Sequence, residues 1–101
     1  MEHIAILEKH FDKLIQCKNL SILLKSILNK IFIAFEEDKI YDFDKDLLLD
    51  VAKDVCNNYK SESKFVWELN IADTNIRLVF SKQFDDWFVS THFSYWVEKV
   101  L

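Results

Sequence analysis

The stretch KFVWELNIADTNIRLVF, residues 64–80, decides the fold class because its large apolar side chains recur at every second position. Phe65 and Trp67 alternate with smaller or polar residues in the first half, and Leu78 and Phe80 do so in the second. This is the period of a strand that buries one face. The connection ADTN at 72–75 has the length and polarity of a hairpin turn. The stretch therefore predicts two antiparallel strands.

A third alternating segment follows in DDWFVSTHFSYWV, residues 85–97. Trp87 and Phe93 share one side of this segment, whereas Phe88 and His92 share the other. We expect the three strands to form an antiparallel meander. The last residues, SYWVEKVL, fit either a continuation of the third strand or a short C-terminal helix.

The residues that precede this region show helical periodicity instead. The first predicted helix spans residues 2–17. The second begins after a cap at Asn19 or Ser21 and runs to about Glu37, and it is apolar on most of its sides. Such a helix is either central to the core or part of a dimer interface.

A third helix is predicted over about 46–60, with Asp44 or Asp46 as its N-cap. The expected fold is therefore one α+β domain over residues 1–101, because a chain of this length supports one core. About three N-terminal helices (2–60) are followed by a three-stranded antiparallel β-meander (64–96).

The composition excludes several classes of site. Glycine and proline are both absent, so the glycine-rich loops that bind nucleotide phosphates in Walker and Rossmann proteins are excluded. The N-terminus has no cationic start followed by an apolar core, and no run is long and apolar enough to span a membrane. We expect a cytoplasmic protein in which Cys17 and Cys56 are reduced.

No metal, cofactor or catalytic site is expected. Asp42, Asp44 and Asp46 have the spacing of the first ligands of a calcium-binding EF-hand loop. However, Leu47 stands where that loop requires glycine, and Lys53 where it requires a bidentate glutamate. No zinc-ligand pair or activated nucleophile is evident, so the chain is not expected to be an enzyme.

Negative charge is concentrated in EEDKIYDFDKDLLLDVAKD, residues 36–54, which holds eight acidic residues and three lysines. Its net charge of -5 exceeds the -4 of the whole chain. This stretch is either a solvated surface or a face that binds a basic partner, since opposed charges accelerate association and fix orientation. The candidate partner-binding carboxylates are Glu36, Glu37, Asp38, Asp42, Asp46, Asp50 and Asp54.

Aromatic residues are concentrated in the β part, where one face of a three-stranded sheet cannot easily bury all of them. Aromatic residues are enriched at the centres of protein interfaces. The candidate partner-binding aromatics are Trp67, Trp87, Phe88 and Trp96. The acidic net charge argues against direct binding of these rings to nucleic acid.

Two functions fit this pattern. The first is a small acidic inhibitor that neutralises a basic protein, such as a toxin or a nuclease complex. Immunity proteins, antitoxins and phage-encoded anti-defence or anti-CRISPR proteins belong to this class, which requires only charge, aromatic anchors and a rigid scaffold. The alternative is a self-assembling, dimeric adaptor that pairs through its second helix or an edge strand.

Overall fold

The computed structural model describes residues 3–95. Within these residues the chain forms three helices and a four-stranded antiparallel sheet. The elements are α1 (His3–His10), β1 (Ile15–Cys17), α2 (Leu20–Glu37), α3 (Lys45–Tyr59), β2 (Lys64–Ile71), β3 (Thr74–Gln83) and β4 (Asp86–Tyr95). The α+β class is therefore confirmed. Residues 94–101 were expected to continue the strand or to form a short helix: Ser94 and Tyr95 belong to β4, and the other six lie outside the described residues.

The predicted three-stranded meander is wrong, because the sheet has four strands in the order β1-β4-β3-β2. The predicted helix over 2–17 is also too long. It ends at His10, where the N–H of Phe11 closes the last turn on the carbonyl groups of Leu7 and Glu8. The chain then supplies the edge strand β1, in which Ile15 pairs with Val89 of β4.

Pairing with β4 explains why the helix does not continue. The backbone of residues 15–17 bonds to the outer edge of β4, which would otherwise lack a neighbour among the described strands. Leu14, which a longer helix would turn inward, is 72% exposed. A strand of three residues is too short for its alternation to differ from a helical pattern.

The other helices begin where side-chain caps predict them. Asn19 Oδ1 accepts a hydrogen bond from the N–H of Ile22 at 3.1 Å, so Asn19 is the N-cap of α2. Asp44 Oδ1 accepts from the N–H of Leu47 at 3.0 Å, so Asp44, and not Asp46, caps α3. Each contact satisfies one of the N–H groups that a helix start leaves without an intrahelical partner.

The core lies between the helices and one face of the sheet. Helix α2 is central to it, and β3, one of the two inner strands, buries Ile76, Leu78 and Phe80 completely. In β2 every second side chain is buried and the others are exposed. The sheet therefore has a helix-covered face and a face turned to solvent, which we call the open face. Every helix within residues 3–95 falls short of the length and apolarity needed to cross a bilayer.

The tight turns are made without glycine. Phe84 and Asp85 connect β3 to β4 with φ angles of 52° and 72°. Two successive positive φ values are the geometry of the type I′ hairpin turn, which favours Asn-Gly. Left-handed backbone is unfavourable for a bulky side chain. The Phe84 side chain is also 99% exposed, so no packing within residues 3–95 offsets this cost.

Candidate functional site

A line of carboxylates occupies the exposed side of α3. Asp46, Asp50 and Asp54 are spaced four residues apart and are all exposed, whereas Ala52 on the opposite side is buried in the core. Four residues advance a helix by about 6 Å and slightly more than one turn, so the three side chains share one stripe. With Asp42, exposed in the loop before the helix, they form what we call the acidic face.

The acidic face is only weakly neutralised by the residues that the structure describes. Asp50 has Lys53 as a partner, with Oδ1 and Nζ 3.8 Å apart, and both side chains are mostly exposed. Within residues 3–95, Asp42, Asp46 and Asp54 form no ion pair. Their charges therefore face solvent and are available to a partner.

An apolar side chain borders this line of charge. Leu47 is 58% exposed, and it precedes Asp50 by three residues and Asp54 by seven, so it lies on the same side of α3. Leu47 was named above only as a mismatch to the EF-hand loop and was not predicted as a surface contact. The available signal was the run LLL at 47–49, since one side of a helix cannot bury three consecutive leucines.

A shallow groove of about 370 Å³ runs between α2 and α3 beside the acidic face. Phe32, Ile33 and Leu49 supply apolar walls, and Asp46 lies at its edge. Ile33 is itself largely exposed on the outer side of α2. This groove and Leu47 give the acidic face an apolar border that a partner could cover.

Two of the other predicted carboxylates have contacts within the protein. Glu36 forms an ion pair with Lys45, which joins the end of α2 to the start of α3. Glu37 accepts from His10 at 3.1 Å and lies 3.9 Å from Lys9, which joins α2 to α1. These contacts assign Glu36 and Glu37 an architectural role.

Asp38 is placed at the C-cap of α2, where its own N–H donates to carbonyl groups of the last turn. It is only partly exposed. The structure thus divides the acidic stretch into a part that holds the helices together and the acidic face proper.

Two of the aromatic candidates are core residues. Trp67 is 8% exposed and Trp87 is 2% exposed. The ring of Trp87 makes an edge contact with Phe65, with centroids 5.6 Å apart. A partner could not reach these indoles without rearrangement of the core, so neither indole is part of the accessible surface.

Phe88 lies on the open face, half-buried beside Ser81 and Gln16, and Trp96 lies outside the described residues. The aromatics that the structure exposes most were not predicted. They are Tyr41, in the loop before α3, and Phe84, at the tip of the β3–β4 hairpin. Both residues lie in connections between elements, where strand alternation gives no information about exposure. The available sequence signal was the presence of a large aromatic residue in a predicted connection.

Among residues 3–95 there is no group of three or more His, Cys, Asp and Glu side chains close enough to hold a metal ion. Cys17 and Cys56 are free thiols and half-buried. Comparisons with protein-family models, with curated proteins and with solved structures found no match to this chain. Charge, exposure and packing are then the features that bear on what the chain binds.

Proposed function

We propose that this chain is a small protein inhibitor that binds and neutralises a basic protein through its acidic face. The observation that carries the proposal is the line of Asp46, Asp50 and Asp54, which are exposed, scarcely paired and bordered by the exposed Leu47. Immunity proteins, antitoxins and anti-CRISPR proteins are the classes that this activity fits.

The stability of α3 does not account for this arrangement. Like charges four residues apart on a helix cost about 0.2–0.5 kcal/mol per pair. Asp46 offsets part of that cost because it lies in the first turn, where the helix dipole favours an anion. Asp54 lies beyond the reach of that effect. A carboxylate with an energetic cost and no ion-pair partner among residues 3–95 is well placed to gain a partner in a complex.

The surroundings of the acidic face have the composition of an interface. Protein interfaces combine a buried apolar centre with a polar rim. Here Leu47 and the groove lined by Ile33 and Leu49 border the aspartates, so apolar and charged surface lie side by side. Burial of these side chains would add affinity, and the charges would accelerate encounter.

The charge of the acidic face indicates the chemistry of the target. A line of carboxylates presents negative charge in a row, as a nucleic-acid strand does. The surface that complements it is cationic, such as the nucleic-acid-binding surface of a nuclease. Direct binding of the chain to nucleic acid is not part of the proposal. On the open face, the cation Arg77 lies 3.6 Å from the carboxylate of Glu68. The indoles of Trp67 and Trp87 are buried in the core and are not accessible to bases.

The test is a pull-down from the native host at low and high salt with three tagged proteins. The first is the wild type, and the second carries Asp46→Lys, Asp50→Lys and Asp54→Lys. The third is a matched control with the same net charge, in which three exposed carboxylates elsewhere are reversed. These are Asp12, Glu62 and Asp73, which form no ion pair within residues 3–95.

We expect the wild type and the control to retain one stoichiometric basic protein, and the variant of the acidic face to lose it. Addition of the purified chain should then reduce the activity of that protein. Equal recovery by all three proteins would remove the acidic face from the interface. Circular dichroism of each variant excludes unfolding as the cause of a loss.

A further inference from the structure

One edge of the sheet is long and unpaired. Strand β2 runs from Lys64 to Ile71 and bonds to β3 on one side, and no strand within residues 3–95 pairs with its other side. The opposite edge is the short strand β1. Consistent with an open edge, the inward side chains Phe65 and Trp67 keep slight exposure, whereas Leu78 of β3 keeps none.

The pairing register shows which backbone groups of β2 point outward. The N–H of Lys82 donates to the carbonyl of Ser63 at 2.8 Å, so these opposed residues form a hydrogen-bonded pair. In an antiparallel ladder such pairs alternate with non-bonded pairs. Lys64 and Val66 lie opposite Ser81 and Val79 in non-bonded pairs. Their N–H and C=O groups therefore point away from β3. The same holds for Glu68.

This edge lacks most of the features that block strand addition. The chain has no proline, and the eight pairs between β2 and β3 continue without a bulge. No charged side chain points inward, because the inward positions are apolar and buried. The only charges on the strand, Lys64 and Glu68, lie on the open face four residues apart.

We propose that two copies of the chain pair β2 with β2 in antiparallel orientation, centred on Val66, to form one continuous sheet. In this register Lys64 of each copy lies opposite Glu68 of the other, and the two Val66 side chains meet at the centre. Both pairs consist of residues whose backbone groups point outward, so the new ladder gains roughly six hydrogen bonds. Val66 is 42% exposed in the single chain, so the pairing also buries apolar surface.

Charge selects this register over its neighbours. If the centre moves to Trp67, Glu68 lies opposite Val66 of the second copy. If it moves to Phe65, Glu68 lies opposite Glu62. A shift by two residues toward Ile71 places Glu68 opposite itself. A shift by two residues in the other direction places Lys64 opposite itself. Among these registers, only the pairing centred on Val66 places Lys64 opposite Glu68, and opposite charges stabilise cross-strand pairs. Glu68 then lies between the Lys64 of the second copy and its own neighbour Arg77, which is 3.6 Å away.

This pairing is independent of the proposed function, because it uses a sheet edge and not the acidic face of α3. The test measures the mass of the chain in solution by sedimentation over a wide range of concentrations. We expect the wild type to approach twice its chain mass of 12.1 kDa as concentration rises. A mass of 12.1 kDa at every concentration would overturn the proposal.

The variant Val66→Pro should be monomeric and folded, because it removes an N–H that points away from β3 and proline is tolerated on a sheet edge. Two charge variants keep the test valid if this substitution disturbs the fold. Lys64→Glu and Glu68→Lys each place like charges opposite one another, and each should raise the Kd of the dimer roughly tenfold.

A mixture of these two charge variants should form a heterodimer, because every opposed pair is then again of opposite charge. The double variant Lys64→Glu with Glu68→Lys should also recover the dimer. A dimer that persists in Val66→Pro and in both single charge variants would show that another surface, such as the outer side of α2, joins the copies, and it would overturn the β2 pairing.

Discussion

The ion pair between Glu36 and Lys45 joins the last turn of α2 to the first turn of α3. It separates two uses of negative charge within one short stretch. Carboxylates at the end of α2 hold the helices together, whereas those along α3 face solvent. The pair links the N-terminal end of the acidic face to α2, but its carboxylate is not part of that face.

Removal of this ion pair should cost little stability. Both side chains are partly exposed, and such pairs contribute about 0–1 kcal/mol. We expect Glu36→Gln to lower the free energy of unfolding by less than 1 kcal/mol, as measured by urea denaturation. Partner binding should be unchanged. A loss of binding as large as that caused by reversal of Asp50 would return Glu36 to the interface.

Loss of the α3 cap should cost more. Asp44→Ala removes the acceptor of the Leu47 N–H, and such losses cost about 1 kcal/mol. Asp44→Ser should restore most of that stability because serine also caps. Asp42→Ala is the matched control, since the Asp42 side chain is exposed and forms no hydrogen bond or ion pair within residues 3–95. Equal unfolding midpoints for the two alanine variants would contradict the cap.

The indole of Trp87 should be a stability determinant and not a contact residue. Trp87→Ala empties a buried site and should cost about 3–5 kcal/mol, a large part of the stability of a domain of this size. Phe88→Ala, on the open face, should cost distinctly less. Fluorescence-detected unfolding measures both, and similar losses for the two variants would contradict the burial of Trp87.

The β3–β4 turn should be open to improvement. Phe84 has a positive φ and almost no packing, and Asn adopts that conformation more readily. We expect Phe84→Asn to stabilise the domain by about 1 kcal/mol. Leu14→Asn, which also removes an exposed apolar side chain but at a residue without a positive φ, should not stabilise it. A lower melting temperature for Phe84→Asn would mean that the ring makes contacts that stabilise the fold.

The sequence predicted most of the fold because long segments carry their own period. The alternation from Lys64 onward predicted β2, β3 and β4. Each cap prediction offered two residues, and one of each pair, Asn19 and Asp44, caps α2 and α3. Strand β1 was missed because three residues carry no usable period and because their conformation depends on the edge of β4, which is distant in sequence.

The aromatic residues show a second limit of sequence reasoning. Strand parity correctly separated Trp87 from Phe88, but it does not say which side the helices cover. That depends on the packing of α2, so both Trp67 and Trp87 were considered surface candidates. The acidic line on α3 was predictable because helical spacing alone defines it, whereas the architectural role of Glu37 required the position of His10.

The most direct test of the central claim is the rate at which the captured basic protein associates with the chain at two ionic strengths. If Asp46, Asp50 and Asp54 form the docking face, their reversal should slow association at low salt by roughly tenfold or more. The difference between wild type and variant should shrink at high salt because exposed charges are screened. The variant with Asp12, Glu62 and Asp73 reversed should associate distinctly faster than the variant of the acidic face. Equal association rates for wild type and the acidic-face variant at low salt would contradict the proposed role of the acidic face.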